Sequence, residues 1–363
     1  MPTPEPDILI APTATTFSFS LEPAQNAIHS LFLLTMEDKL SGLDDWVART
    51  LASLPPELER RHKVVILGLY YAVVPQRSYA SFSAYLDDLG RQDPVLLRDR
   101  VMDAYYEMQW KDRSIEQPPQ EQVLASTDAF IRFLLDRFPA DHIDIEVEIE
   151  AFAYLNDPPA MKSLILSHLQ EMWDTYLEAE WKRVLPMLQE SIAAFRQVDM
   201  SGLSNPEAIH KVTGQELGEW CDESIEQAER IIFVPSAHLG PYLGRKKSNG
   251  TLWLLFGARL PEGVQAISPD LSRAEILVRL AALADDTRLR ILKLISENQE
   301  LSSKDVMARL ELSQSAASRH LTQLTATGYL EERRCEGAKC YTLNPERLEN
   351  TLHAVAAYLG MNE

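Results

Sequence analysis

Helix start and stop signals follow one another closely in residues 271–363, and they restrict the fold more than any other feature of this chain. Side-chain oxygens that can cap a helix N-terminus occur at Asp285, Ser302, Ser313 and Asn344. Asp305 adds a short capping-box pattern to Ser302, and Gly328 stands where the left-handed conformation that ends a helix favours glycine. The signals up to Gly328 predict four consecutive helices. The first covers 272–283, and the third ends near Leu310.

A hairpin and a last helix are predicted to follow. The runs 329–335 and 339–343 have strand character and flank a turn that contains Glu336 and Gly337. Pro345 suits the first position of the last helix, and Gly360 its end. A helix, a short turn, a capped helix and a hairpin make up the winged helix-turn-helix plan.

Three stretches of this segment carry a family resemblance. They are LADDTRLRIL over 283–292, LSQSAASRHL over 312–321 and GAKCYTLNP over 337–345. In this order and spacing the segment resembles the winged helix-turn-helix of the ArsR family, over about 90 of the 363 residues. The resemblance implies a cytoplasmic transcription regulator, a repressor by expectation, that binds double-stranded operator DNA. The alternative interpretation is a winged helix that serves only protein contacts, with its polar residues simply hydrated.

The fourth helix is the expected reading helix. With Ala317, Leu321 and Leu324 facing inward, hydroxyl and guanidinium side chains share the opposite face. Arginine can pair with guanine, glutamine with adenine, and basic hairpin residues with the DNA backbone or minor groove. The predicted DNA-contacting residues are Ser313, Gln314, Ser315, Ser318, Arg319, His320 and Thr322 on the helix and Arg333, Arg334 and Lys339 on the hairpin.

The charge distribution counts against DNA binding. Residues 271–363 carry 12 basic and 13 acidic side chains, a net charge of −1, and they form no basic stripe. The rest of the chain carries the remaining −18 of the total −19 and repels nucleic acid and membrane surfaces.

The resemblance also implies a homodimer that pairs through its first and last winged-helix segments. Both show an apolar stripe, formed by Ile276, Leu280 and Leu283 on the first and by Leu352, Val355 and Leu359 on the last.

Members of this family often sense metals, but the ligand positions differ here. The family's thiolate site is a C-x-C at the start of the third helix, where this chain has Ser302 and Lys304. The final helix offers only His353 as an imidazole. No metal and no cofactor are therefore expected. Cys335 and Cys340 could form a redox-switched disulfide, with Arg334 and Lys339 lowering their thiol pKa, or could simply fill strand positions.

The predicted fold class is mainly α, with a helical domain over 1–262 and an α+β winged helix over 271–363. Helical periodicity is clearest over 158–198, where Pro186 is expected to kink the helix. A small β element is predicted from the runs 16–20, 231–234 and 252–256.

The N-terminal domain is expected to receive a signal, from a small apolar ligand or a protein partner. All six tryptophans precede residue 271, and some of them could line a pocket. The alternative is a DNA-tethered hydrolytic enzyme, but the chain has no GxGxxG, P-loop or CxxC motif and no recognisable nucleophile–base pair.

Two further segments of this domain have open interpretations. The alternation over 143–150 would align four carboxylates if extended, as a cation site or a hydrated strand or helix face. The basic triplet 245–247 could grip an anionic ligand, contact DNA phosphate, or belong to a flexible hairpin loop.

No membrane association is expected. The chain begins without a signal-peptide pattern, and its longest apolar run, 64–74, is shorter than the ~20 residues that span a bilayer.

Overall fold

The computed structural model describes residues 15–108, 117–215, 217, 223–261, 269–335 and 338–361. The fold is mainly α, as predicted. We call residues 15–261 the N-terminal region and residues 269–361 the C-terminal region. Within the described ranges no helix is both long and apolar enough to cross a membrane.

The N-terminal region is a helical body around a small sheet. Its helices are α1 (Pro23–Leu33), α2 (Asp45–Ser53), α3 (Pro56–Lys63), α4 (Tyr70–Val73), α5 (Phe82–Arg91), α6 (Pro94–Glu107), α7 (Gln120–Val123), α8 (Thr127–Arg137), α9 (Ile145–Leu155), α10 (Pro158–Met172), α11 (Glu178–Phe195), α12 (Asn205–Thr213) and α13 (Glu223–Glu226). Its strands are β1 (Thr16–Phe19), β2 (Arg230–Ser236), β3 (Leu243–Ser248) and β4 (Thr251–Gly257).

The sheet has the order β1-β2-β4-β3. The strands β1, β2 and β4 are parallel, and β3 pairs antiparallel with β4 at one edge. The three predicted strands are confirmed. One interpretation placed the basic triplet 245–247 in a flexible hairpin loop. This interpretation is wrong, because residues 243–248 form the edge strand β3.

The two central strands are buried on both faces, which is typical of parallel sheets. Ile232 and Trp253 pack into the core of the helical body, whereas Phe233 and Leu254 pack against α11 and α12 on the other face. Successive side chains alternate between the two cores, as the pleat of a strand requires. The aromatic residues mostly fill these cores, and Trp173 stacks on Phe82 with ring centroids 4.6 Å apart.

The long predicted helix over 158–198 forms as α10 and α11, joined by a π-helical turn at Trp173–Leu177. Pro186 lies inside α11, which continues to Phe195. The alternating segment 143–150 is not extended. Asp144 caps α9, and the carboxylates point in different directions, with Glu150 bonded to Arg60 and Glu148 packed near Tyr105.

The C-terminal region consists of α14 (Pro269–Leu283), α15 (Asp286–Asn298), β5 (Glu300–Ser302), α16 (Ser303–Leu310), α17 (Gln314–Ala326), β6 (Leu330–Cys335), β7 (Ala338–Leu343) and α18 (Pro345–Tyr358). The strands form a sheet of order β5-β7-β6. The short strand β5 was not predicted. The predicted turn residues Glu336 and Gly337 lie outside the described residues.

The helix signals are confirmed one by one. Asp285, Ser313 and Asn344 each accept a bond from a backbone N–H of the first turn, and Ser302 and Asp305 form a reciprocal capping box. Gly328 has φ 79°, as a left-handed helix end requires. Ile291, Ile295 and Leu292 are buried, whereas Leu289 of the same helix is 50% exposed.

Candidate nucleic-acid interface

Helix α17 presents a polar face to solvent because its apolar face is fixed in the core. Ala317, Leu321 and Leu324 are buried, with Leu321 and Leu324 packed against Val306 of α16 and its neighbours. The exposed residues on the other side are Ser315, Ser318, Arg319 and Thr322. This is the face on which the sequence placed the reading residues, and it projects one cation among small hydroxyls.

The N-terminus of α17 adds backbone donors to this face. Ser313 and Gln314 are exposed there, and the Ser313 hydroxyl accepts from the Ala316 N–H at 3.2 Å. The first turn contains no acidic residue. Unpaired N–H groups and the helix dipole make such an end attractive to a phosphate oxygen.

His320 does not belong to the exposed face, although it was predicted to contact DNA. It is buried, and its Nδ1 lies 3.9 Å from the Asp285 carboxylate at the start of α15. Burial lowers the pKa of His320, and the nearby Asp285 opposes that shift. Its position is consistent with holding α17 against α15.

The three basic residues of the β6–β7 hairpin are exposed. Arg334 and Lys339 face each other across the two strands. Arg333 forms a two-pronged ion pair with Glu300 of β5, and Lys339 bonds Glu332 at 2.7 Å. Because these two cations already have acidic partners, contact with a phosphate would require an exchange of partners.

Cys335 and Cys340 lie close together on the hairpin, and Glu300 is beside them. Cys335 Sγ lies 3.5 Å from a Glu300 oxygen. A hydrogen bond with Cys340 raises the pKa of Cys335, and burial and Glu300 add to the increase. For Cys335, the expected lowering of the thiol pKa by Arg334 and Lys339 is therefore wrong.

Two groups of side chains bring three metal-ligand atoms within 4.8 Å of one another in the described part of the chain. In the first, Glu300 with the two cysteines, the guanidinium of Arg333 already neutralises the carboxylate. In the second, Asp44 caps α2, and Glu180 accepts from His238. At the third-helix positions Ser302 is used as a cap, and Lys304 is exposed.

The first and last helices of the C-terminal region, α14 and α18, pack together and leave apolar side chains uncovered. Of the predicted interface residues, Leu352 and Leu359 are each 62% exposed. The other four are partly buried, and they are Ile276, Leu280, Leu283 and Val355. Leu277 and Tyr358 extend the exposed apolar surface.

A buried polar network links three elements of the N-terminal region. His238, after β2, contacts Ser30 of α1 through Nδ1 at 2.8 Å and Glu180 of α11 through Nε2 at 3.0 Å. Ser30 also donates to the Asn26 carbonyl at 2.8 Å. All three bonds are satisfied together only if both ring nitrogens of His238 donate.

In that arrangement the serine proton faces the Asn26 carbonyl of α1, whereas with a neutral His238 ring the Ser30 hydroxyl would donate to Nδ1 instead. Burial raises the pKa of Glu180, but bonds from Arg183 and His238 outweigh it and lower the pKa to about 2. We interpret the network as an anchor, with Trp46 stacked on His238 at 4.3 Å.

The N-terminal region contacts α17 directly, which sequence reasoning missed. The Ser41 hydroxyl donates to the side-chain oxygen of Gln323, which is buried on the inner side of α17. Tyr242 donates to the Ser41 carbonyl at 2.7 Å, so this loop is tied to the segment that follows β2.

Comparison with known proteins places the similarity in the C-terminal region. The family model described as "Bacterial regulatory protein, arsR family" matches residues 285–332. An arsenic resistance transcriptional regulator of Pseudomonas putida, ArsR1, is 47% identical over 64 residues, 18% of this chain and 50% of that protein. The transcriptional activator HlyU of Vibrio cholerae is 37% identical over 84 residues, 23% of this chain and 75% of HlyU.

A second Pseudomonas putida regulator, ArsR2, is 39% identical over 88 residues, 22% of this chain and 76% of that protein. This chain thus matches about half of the first of these relatives and about three quarters of the other two. No solved structure gives a significant match.

Proposed function

Since this chain belongs to the ArsR family of DNA-binding transcription regulators, we propose that it binds an operator as a homodimer and that its N-terminal region receives a signal. The observation that carries the proposal is the exposed face of α17. Its hydroxyls and Arg319 project from a helix that the core holds rigidly on the other side. A rigidly held helix of this kind can enter the major groove and place side chains against base edges.

The basic hairpin and the N-terminus of α17 would supply backbone contacts in this proposal. Ser313, Gln314 and the N–H groups of the first turn suit a phosphate beside the groove. Arg334 and Lys339 would reach the adjacent backbone or minor groove, Lys339 after leaving Glu332.

The uncovered apolar side chains of α14 and α18 favour a homodimer. Exposed leucines clustered on two packed helices cost hydration free energy that a partner surface would recover. A twofold axis would set two α17 helices about one DNA turn apart, ~34 Å, and predicts a near-palindromic operator.

We further propose repression in the cytoplasm as the mode of action, and a reporter gene behind the operator tests it. Deletion of the regulator should raise reporter output. A fall in reporter output would instead assign activation to this protein. HlyU, one of the relatives, is named a transcriptional activator.

The test of DNA binding is selection of duplexes from a random pool by the purified full-length chain, followed by fluorescence anisotropy on the enriched sequence. We expect a near-palindromic sequence bound far more tightly than a shuffled duplex of the same composition. No enrichment over the random pool would contradict the proposal and would favour a winged helix that makes only protein contacts.

A further inference from the structure

A cleft with a volume of about 80 Å³ lies between the N-terminal region and the C-terminal region. One wall contains Ser236 and Gly257, the last residues of β2 and β4. The opposite wall comes from α14, the end of α17 and the start of α18. Crevices at the carboxyl ends of parallel strands are frequent ligand sites.

Three arginine side chains converge on this cleft, namely Arg259 after β4, Arg279 of α14 and Arg347 of α18. Arg259, which donates to the Thr213 carbonyl at 2.7 Å, and Arg279 are buried. Burial, together with repulsion from Arg279 and Arg259, lowers the pKa of Arg347 to about 10. The three guanidinium groups are therefore close enough to destabilise one another's charged form.

Glu275 is the one carboxylate among the described residues that line the cleft. It bridges Arg279 at 2.6 Å. The side chains of Arg279 and Arg347 thus bring more positive charge to the cleft than this carboxylate balances. Poorly hydrated charges of one sign are unfavourable unless a counter-charge is near, so the cleft favours an anion.

Two buried polar atoms point to the same conclusion from opposite walls. Ser236 Oγ and Arg279 Nε have no hydrogen-bond partner in the part of the chain that the structure describes. Ser236 is only 1% exposed. Because buried donors are nearly always satisfied, these two atoms favour a ligand that accepts hydrogen bonds from both walls.

We propose that the cleft binds a small multivalent anion whose oxygens accept from Arg279, Arg347 and Ser236. Guanidinium groups bind phosphate and carboxylate oxygens in pairs, so the ligand class is a phosphate ester or a di- or tricarboxylate. This inference rests on the proposed function, because it gives the N-terminal region a signal to receive. It replaces the small apolar ligand expected from the tryptophans.

The position of the cleft explains how such a ligand would act on DNA binding. Ala326 and Thr327, at the end of α17, line it, and Arg347 Nε donates to the Thr327 carbonyl at 2.9 Å. An anion there bridges the sheet to the helix that presents Arg319. The basic triplet 245–247 does not line the cleft, and Lys246 faces Arg100 and Glu107 instead.

The test is calorimetric titration of the full-length chain with inorganic phosphate and with citrate, at an ionic strength of about 0.15 M. At least one probe should bind saturably, near one per chain. Arg347→Ala and Arg279→Ala should each weaken it by about tenfold or more. Arg273→Ala, which removes an exposed charge from the same helix as Arg279, should leave it unchanged.

Glu275→Gln guards against a purely structural explanation, since it should strengthen binding of the same probe severalfold by removing the opposing charge. Failure of both probes to bind, or equal binding by the wild type and Arg347→Ala, overturns the proposal. So does displacement of the probe by a random-sequence duplex, which would assign these arginines to the DNA backbone.

Operator affinity is measured separately in buffer free of both probes. Its loss there contradicts the proposed function, whereas failure of the anion titration with operator binding intact contradicts only the cleft site. If both hold, the probe must shift operator affinity by the same factor by which the operator shifts the affinity for the probe.

Discussion

The hydroxyl of Ser41, in the loop between α1 and α2, donates a hydrogen bond to the side chain of Gln323, on the inner side of α17. The two residues are 282 positions apart in the chain. Gly42 sits so close that a Cβ there would lie 2.4 Å from Gln323 Nε2. The N-terminal region therefore touches the proposed reading helix directly, on the face that DNA cannot reach.

Gly42→Ala should disturb this contact more than the matched variant Gly202→Ala. Both glycines have positive φ, so alanine should cost each about 1 kcal/mol of stability. The new methyl at 42 also collides with Gln323, whereas a Cβ at 202 meets nothing within 4 Å. We expect a larger loss of unfolding free energy for Gly42→Ala, together with a changed operator affinity. Urea denaturation measures the unfolding free energy, and fluorescence anisotropy measures the operator affinity. If both quantities change equally in Gly42→Ala and Gly202→Ala, the contact between Ser41 and Gln323 does not couple the N-terminal region to α17.

Arg319→Ala should weaken operator binding by about 1–3 kcal/mol per half-site and relax the preference for one base pair. The physical reason is loss of a bidentate contact to guanine. Lys339→Ala should instead weaken all duplexes alike and flatten the salt dependence by about one charge. Anisotropy titrations on the operator and on single-base variants, over a salt series, separate the two effects. Unchanged base preference in Arg319→Ala would show that this face of α17 is misassigned.

Leu352→Glu should convert a homodimer to monomers, because it buries a charge in the apolar surface of α14 and α18. Leu289→Glu is the matched control, since Leu289 is also exposed but lies on α15. Light scattering at tens of micromolar should give the mass of two chains for the wild type and Leu289→Glu, and of one for Leu352→Glu. A monomeric wild type, with or without DNA, is the result that excludes this interface.

The buried pair His62–His168 should make stability fall on mild acidification. Burial lowers the pKa of His62 to about 4 and, with repulsion from His62, that of His168 to about 3. Both pKa values lie below the ~6.5 of an unfolded histidine, so the unfolded chain binds more protons and stability is lost as pH falls from about 6.5 toward 4. The slope approaches about 1.4 kcal/mol per pH unit for each histidine.

Glu148 acts in the opposite sense over part of this range, because burial raises its pKa to about 8. The informative quantity is therefore the difference in unfolding free energy between the wild type and His62→Gln/His168→Gln. That difference should shrink on acidification, and it should stay constant for the exposed control His353→Gln. A difference that is independent of pH between 6.5 and 4.5 would show that the pair does not stay neutral in the fold.

Local chemistry explains why the C-terminal region could be predicted well. Ser313 caps α17 through an atom three residues away, and Gly328 ends it through its own backbone, so both act over short sequence distances. His320 could have been placed correctly by the same spacing rule. It lies three residues after Ala317 and four before Leu324, which puts it on the buried side.

The N-terminal region and the anion cleft depend on contacts that no local pattern specifies. Nothing near Ser236 or Arg347 in sequence indicates that they line one cleft, because α10 to α18 must first fold to bring them together. The parallel pairing of β2 with β4 was likewise hidden, since two apolar runs with a polar segment between them fit a hairpin equally well.

The sheet also imposes an order on synthesis. Strand β1 pairs with β2 in the register Thr16↔Arg230, so its partner leaves the ribosome more than two hundred residues later. At 5–20 residues per second, the strand containing Phe17 and Phe19 waits about 10–40 s with its edge unpaired. Helices α1 to α11 can form in that interval from nearby contacts, but the sheet cannot. The nascent chain is thus most exposed to aggregation, and most in need of a chaperone, until β2 and β4 have left the ribosome.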